Sequence, residues 1–250
     1  MKQNQSGGFG MQRDWDTFLM PYEQAVKELK IKFRGMRSQF LQESRHSPIE
    51  IVTGRVKPVD SIIEKQSRRY ISDALLEQDM QDIAGLRIQC QFVEDIYAVV
   101  DLIHQRTDMK VVEERDYVTN VKPSGYRSYH VVIEYPVQMV EGEKKLLAEI
   151  QIRTMAMNFW ATIEHSLNYK YQGEFPDALK ERLKRAAQAS ALLDNEMSEI
   201  REEIQEAQRL FSYGKGQNMP RRLDEPDSSH DNDADGKQRM NDDAHSDPSK

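Results

Sequence analysis

Cysteine is almost missing: Cys90 stands alone in 250 residues, which excludes an internal disulfide and any cysteine-built zinc cluster. It alternates with Leu86, Ile88 and Phe92, the pattern of a buried thiol rather than an exposed nucleophile. No apolar run approaches the roughly 20 residues that cross a bilayer. The opening MKQNQSGGFG lacks the apolar centre of a signal peptide, so the expected address is the cytoplasm. Positive charge is not in excess either. A net charge of −7 argues against a protein that coats nucleic acid, though not against a local basic pocket. There is no G-x-x-x-x-G-K-[ST] and no G-x-S-x-G, and Gly8, Gly10, Gly214 and Gly216 lie near the ends rather than in strand–helix turns.

What is present is a central α/β region between polar ends. Hydrophobic residues make up 38% of the chain and mean hydropathy is −0.77, enough for one sizeable core plus polar extensions. Residues 1–13 and 214–250 read as disordered, the latter an acidic tail whose His230-Asp231 pair is a poor candidate for a metal site. Residues 14–174 read as one domain. Trp15, Phe18, Tyr22, Val26, Leu29, Phe33 and Phe40 repeat at helical spacing behind Asp14, a suitable N-cap. HSPIEIVTGRVKP reads as a loop, followed by a helix from Pro58 to Arg69 with the proline in its first turn.

GLRIQCQFV reads as a strand and Asp95–Thr107 as a helix. Further strands are expected near Lys110–Val118, Arg127–Tyr135 and Leu146–Arg153, the last two forming a hairpin at Glu141-Gly142. The aromatic-rich MAMNFWATIEHSLNYKY closes the domain as a helix. This order predicts a mixed sheet of four or five strands flanked by helices, an α/β (α+β) layer fold. Residues 175–213 carry a separate pattern. Leu179, Leu183, Ala186, Ser190, Leu193, Met197, Ile200, Ile204, Ala207 and Phe211 step by four and three, a heptad seam that predicts a long helix and a homo-oligomer.

The chemistry available is carboxylates plus cations, the composition of magnesium-assisted phosphoryl transfer. KKLLAEIQIRT alternates so that Glu149, Gln151 and Arg153 share one strand face, opposite Leu146, Ala148, Ile150 and Ile152. A mid-strand glutamate runs against propensity and needs a reason; an ion pair with Arg153 or Arg87 is the plain one. Asp82 precedes a strand, where a turn or cap role competes with one over the sheet. GRVKPVDSIIEKQSRR supplies Arg55, Lys57, Lys65, Arg68 and Arg69, with Ser61 one helical turn before Lys65. Arg55 and Arg87 form a guanidinium pair suited to stacking on a purine. The loop ERDYVTNVKPSGYRSYH gathers Lys122, Gly125, Tyr126 and His130, a cation, a permissive backbone, an aromatic face and an imidazole.

The strings MQDIAGLRIQCQFVEDI, RDYVTNVKPSGYRSYH and AEIQIRTMAMNFWATIEHSLNYKY resemble the synthetase domain of the RelA/SpoT alarmone synthetases, above all the stand-alone RelQ type, from about Trp15 to Phe211. The resemblance implies a nucleotidyltransferase-like fold. It implies magnesium-dependent transfer of the β,γ-diphosphate of ATP to the 3′-hydroxyl of GTP or GDP, giving pppGpp or ppGpp. On this chain it implies that Asp82 and Glu149 bind Mg2+ and that Glu149 accepts the proton of the attacking hydroxyl. Arg55 and Arg87 would flank adenine; Lys57, Ser61, Lys65 and Arg68 would hold the ATP phosphates. Tyr126 would stack on guanine, Arg115, Lys122 and His130 would hold the acceptor's phosphates, and Gln151 would position its sugar.

The resemblance also implies a homotetramer, and synthesis without hydrolysis. A central cleft would bind pppGpp through Arg34, Arg37, Glu50, Ile51, Thr53 and Asn158. Activated relatives place a stacking phenylalanine where this chain has Ile51, so activation is expected to be weak. Two other readings stay open: a binding module for guanine nucleotides or single-stranded RNA in that cleft, and a nucleotidyltransferase with a different acceptor.

Overall fold

The structure, a computed structural model, describes residues 13–171 and 175–216. The expectations for the first twelve residues, the tail beyond Gly216 and the His230-Asp231 pair lie outside the described residues. The chain divides into a body that ends at Glu206 and a second unit from Ala207, of which residues 207–216 are helical.

Five strands form one mixed sheet in the order β1-β2-β5-β4-β3. They are β1 Ile51–Val56, β2 Ala84–Cys90, β3 Lys110–Asp116, β4 Tyr129–Met139 and β5 Gly142–Thr154. Only the central β2–β5 pair is parallel. The helices are α1 Trp15–Gln42, α2 Val59–Arg69, α3 Leu76–Asp79, α4 Val93–His104, α5 Met155–Lys170 and α6 Asp177–Gly216. β4 and β5 join at the expected hairpin, with Gly142 at φ +120, a conformation that glycine takes at least cost.

Alternation assigns the two faces. Val52, Leu86, Ile88, Cys90, Val131, Ile133, Ala148, Ile150 and Ile152 point into the main core with Tyr22, Leu29 and Phe33 of α1 and Ile96, Val99 and Ile103 of α4. Cys90 is buried there, and burial pushes its thiol far above the ordinary range. Asp14 caps α1 by accepting from the backbone of Asp16 and Thr17, as its position predicted. The opposite face of the sheet carries the polar side chains.

Several boundaries differ from the sequence reading. HSPIEIVTGRVKP is not all loop: residues 51–56 are edge strand β1, hydrogen-bonded to β2 on one side only. Arg55 is therefore a strand residue, held more firmly than a loop would hold it. Pro58 is the N-cap of α2 rather than part of its first turn. The helix expected from Asp95 to Thr107 runs from Val93 to His104, with the Asp95 carboxylate accepting from the Phe92 backbone to close its first turn. α6 continues through Gly216 instead of ending near residue 213.

α6 turns Leu183, Ala187, Ala191 and Asp194 toward the body, a row spaced by four and three. Asp194 accepts a 2.8 Å hydrogen bond from Thr154 Oγ1 at the end of β5. Burial raises its carboxyl pKa to about 6. That row overlaps the heptad seam only in part, and Leu193, Met197, Ile200 and Ile204 remain 40–52% exposed.

Candidate active site

Strand register assembles the polar face. Thr53, Arg87, Gln151, His130 and Arg115 lie in one line across all five strands. The neighbouring line runs Arg55, Gly85, Glu149, Val132, Glu113. Gly85 leaves the floor between Arg55 and Glu149 without a side chain, and a Cβ there would meet only the Arg55 carbonyl at 3.7 Å. A cleft of ≈ 260 Å³ opens on this floor, lined by Arg55, Lys57, Asp82, Arg87, Glu149 and Gln151 among others.

Glu149 is the centre of the site and is 8% exposed. Its Oε1 lies 3.1 Å from His130 Nδ1 and 3.7 Å from Arg115 Nη1. Its Oε2 accepts a 2.9 Å hydrogen bond from Gln151 Nε2. Burial by itself would raise the carboxyl pKa; the donors from His130 and Gln151 and the charge of Lys65 outweigh it and bring it to about 2. The expected ion pair with Arg153 or Arg87 is not what holds Glu149. Arg153 reaches it indirectly, in one branch through Gln151, whose Oε1 accepts at 2.7 Å from Arg153 Nη2.

Asp82 stands on the turn before β2, between Lys57 Nζ at 3.1 Å and Lys65 Nζ at 2.8 Å. Burial pushes its carboxyl up, and the two lysines more than reverse this, leaving it below the ordinary range. Lys65 approaches Oδ1 off the angle of a hydrogen bond, so this buried oxygen has no directed donor. An anionic oxygen in that state suits a hard divalent cation, and with Glu149 on the same cleft the pair fits magnesium, which takes one or two protein carboxylates. Ile62 is buried and seats α2, which turns Lys65 inward. Burial lowers the pKa of Lys65, with Lys57 and Arg69 adding to it, although Asp82 opposes the shift.

The remaining expected residues divide into those that gather and those that do not. Arg115 contacts Glu113 at 2.6 Å and is held also by Gln81. Tyr126 Oη lies 2.8 Å from His130 Nε2 and 2.6 Å from Arg153 Nη2. Lys122 Nζ sits over the rings of Tyr117 and Tyr126, 4.2 and 4.9 Å from their centroids. Arg68 stands outside the cleft lining, exposed, with Glu64 at 3.7 Å. Ser61 is half-buried and does not line the cleft.

On the β1 edge, Arg34 donates to the Val52 carbonyl at 3.1 Å and Arg37 to Glu50 at 3.3 Å. Ile51 is 40% exposed, Thr53 lines the cleft, and Asn158 on α5 keeps a buried Oδ1 without a partner. Sequence reasoning missed Gln81 and Tyr117, which fix Arg115 and Lys122, because nothing local to either marks them. It also gave Arg153 no task beyond an ion pair with Glu149, which the structure does not form.

A profile of the region found in RelA / SpoT proteins matches residues 54–174. The chain is 60% identical over 203 residues to the GTP pyrophosphokinase YjbM of Bacillus subtilis (strain 168), covering 81% of this chain and 96% of that one. The crystal structure of small alarmone synthetase 1 from Bacillus subtilis bound to its product pppGpp superposes with TM-score 0.75 at 59% identity, over 78% of this chain and all of that one. The same synthetase bound to AMPCPP gives TM-score 0.69 at 56% identity, again over 78% of this chain and 100% of the other.

Proposed function

Because the chain belongs to the RelA/SpoT family, we propose that it is a GTP pyrophosphokinase that makes pppGpp and ppGpp from ATP and GTP or GDP. The observation that carries this reading is a buried, ionised Glu149 between two groups of cations. On one side lie Arg55, Lys57, Lys65 and Arg87 beside Asp82; on the other lie Arg115 and Lys122, with His130 as a hydrogen-bond partner beside Tyr126. Two polyanions brought end to end repel each other, and fixed cations on both sides offset that repulsion.

In the reaction the acceptor's 3′-oxygen attacks the β-phosphorus of ATP. The bond between that phosphorus and the α-bridging oxygen breaks, and AMP leaves. Glu149 takes the hydroxyl proton, for which it is ionised throughout the neutral range. Gln151 orients the ribose beside it, and Tyr126 offers a ring to guanine. Arg55 and Arg87, diagonal neighbours on β1 and β2, face adenine, while Lys57 and Lys65 meet the phosphates, with Ser61 and Arg68 one turn to either side on α2. Magnesium held by Asp82 and Glu149 would supply charge neutralisation on the phosphate oxygens.

Purified protein incubated with magnesium, ATP labelled in its terminal phosphate and each guanine nucleotide tests this. Labelled tetra- and pentaphosphate should form and, for a synthetase without hydrolase activity, persist. Glu149→Gln should retain the fold by circular dichroism and lose at least a hundredfold in rate. Absence of labelled guanosine product from the parent, or parental rates from Glu149→Gln, would refute the assignment.

We further assign the exposed seam Leu193, Met197, Ile200 and Ile204, together with Phe159 and Ile163 of α5, to contact between copies of the chain in a homotetramer. The edge formed by Arg34, Arg37, Glu50, Ile51, Thr53 and Asn158 is assigned to regulatory pppGpp. An aliphatic Ile51 offers no ring for a base, so initial rates with and without added pppGpp should differ little; strong activation would contradict this. The cytoplasm, where these nucleotides are made and used, is the proposed location.

A further inference from the structure

Arg153 is 4% exposed, yet no carboxylate lies within ion-pair distance of it among the described residues. Its hydrogen-bond partners are neutral: Nη2 donates to Tyr126 Oη at 2.6 Å and to Gln151 Oε1 at 2.7 Å, and Nε donates to Ser128 Oγ at 3.2 Å. Ser128 is itself buried and donates to the Ile152 carbonyl at 3.3 Å, which ties the guanidinium to the backbone of β5. A buried cation with only neutral acceptors is costly, and such an arrangement needs a purpose.

We propose that Arg153 is a positioning residue that orients both hydrogen-bond donors of Glu149; the inference rests on the reading of Glu149 as the base. The argument follows from what each group is able to donate. Arginine has donors and no acceptor. Because Gln151 Oε1 accepts from Arg153, the amide nitrogen of Gln151 must face Glu149 Oε2, as it does at 2.9 Å. Tyr126 Oη accepts from Arg153, which leaves His130 Nε2, 2.8 Å away, as the acceptor for the phenol's own proton. An imidazole that accepts at Nε2 carries its proton at Nδ1, the atom 3.1 Å from Glu149 Oε1.

A ring thus closes from Arg153 through Tyr126 and His130 to one oxygen of Glu149, and through Gln151 to the other. Both branches begin on the same nitrogen, Nη2, so the geometry of one guanidinium sets the orientation of the base and of the aromatic face that receives the acceptor. An ammonium on a flexible stem cannot reproduce this planar fork.

The test compares Arg153→Met, Arg153→Lys and Tyr126→Phe in the full chain, with kcat and KM for each nucleotide. Removing the arginine should lower kcat roughly a hundredfold, the scale of a misplaced reacting group, while KM for ATP changes little. Lysine keeps the charge but not the fork and should fail to rescue. Phenylalanine keeps the stacking ring and loses one branch, so kcat should fall about tenfold with KM for GTP nearly constant. Parental kcat in Arg153→Met, or full rescue by lysine, would overturn the proposal.

Nitrogen chemical shifts of His130 in histidine-labelled protein give a readout independent of turnover. The proton is expected on Nδ1 alone in the parent and on a mixture of positions in Arg153→Met. A parent imidazole protonated at Nε2, or at both nitrogens, would also overturn it. An inactive parent would sink the assignment of function and leave this second measurement to decide the role of Arg153; should Arg153→Met fail to fold, Tyr126→Phe and the parent's shifts still decide it.

Discussion

Replacing Glu149 by glutamine should destabilise the protein at neutral pH, and the size follows from the carboxyl's surroundings. Its pKa is about 2 in the folded chain against an ordinary 4.5, a difference of about 2.5 units (4.5 − 2). At about 1.4 kcal/mol per unit this is about 3 kcal/mol of folded-state preference for the ionised form. The sign is that of a depressed acid: the contribution is fully present above pH 4.5 and is lost as pH falls toward 2. Glutamine carries no charge and forfeits it. Its carbonyl still accepts from His130, but its amide then faces the amide nitrogen of Gln151, donor against donor, so little of the loss is recovered.

Urea unfolding followed by tryptophan fluorescence, at fixed protomer concentration and without nucleotide, measures the difference. The variant should be less stable than the parent by 2 to about 3 kcal/mol at pH 7, and by about half that at pH 3. A variant as stable as the parent at pH 7, or a deficit that does not shrink in acid, would show that the cations around Glu149 do not hold it as described.

Gly125 adopts φ +90, and a Cβ there would stand 2.6 Å from the Cβ of Ala187 on α6. Gly125→Ala should therefore force the Lys122–Tyr126 turn off α6, costing about 1–3 kcal/mol in thermal unfolding and raising KM for the guanine nucleotide more than KM for ATP. Equal KM values for parent and variant would separate that turn from acceptor binding. Leu193→Glu with Ile200→Glu places carboxylates on the exposed seam of α6 and should reduce the mass found by light scattering from that of an assembly to that of a smaller species. An unchanged mass would move the interface elsewhere.

The sheet was legible because buried strands in this chain alternate cleanly. Leu86, Ile88 and Cys90, and Ala148, Ile150 and Ile152, form unbroken apolar rows whose opposite rows are polar. The edge strand β1 was not legible, since Val52 is its one buried residue and Gly54 interrupts it between two prolines. Glu149 and Asp82 could be picked out by residue type and placement. Their partners could not, because His130 meets Glu149 through the β4–β5 register and Lys57 meets Asp82 across 25 residues. The heptad seam of α6 was visible as a periodicity, but small residues at Ala187 and Ala191 form a second, closely packed face that hydropathy alone does not distinguish. Arg153 looked like half of an ion pair; only the three-dimensional placement of Ser128 and Tyr126 gives it other work.

The same register that builds the cleft also concentrates like charge in it. Arg87 is half-buried, and its pKa is lowered by burial first and then by Arg153 and Arg55. Burial likewise lowers that of Lys122, with Arg115 and Arg153 contributing. These cations repel one another across a floor where Glu149 and Asp82 are the acids lining the cleft. A hydrophobic core on the reverse of the same strands holds them together, since Leu86, Ile88, Ala148 and Ile150 cannot shift without opening it. A polyphosphate entering the cleft relieves that repulsion, so part of its binding free energy comes from removing strain already present between protein groups. Because such a ligand binds the folded chain alone, its affinity must reappear as stability, rising with the logarithm of nucleotide concentration. Catalytic placement and tolerance of crowded charge are thus one property of this sheet: the apolar face supplies the rigidity that the cationic face requires.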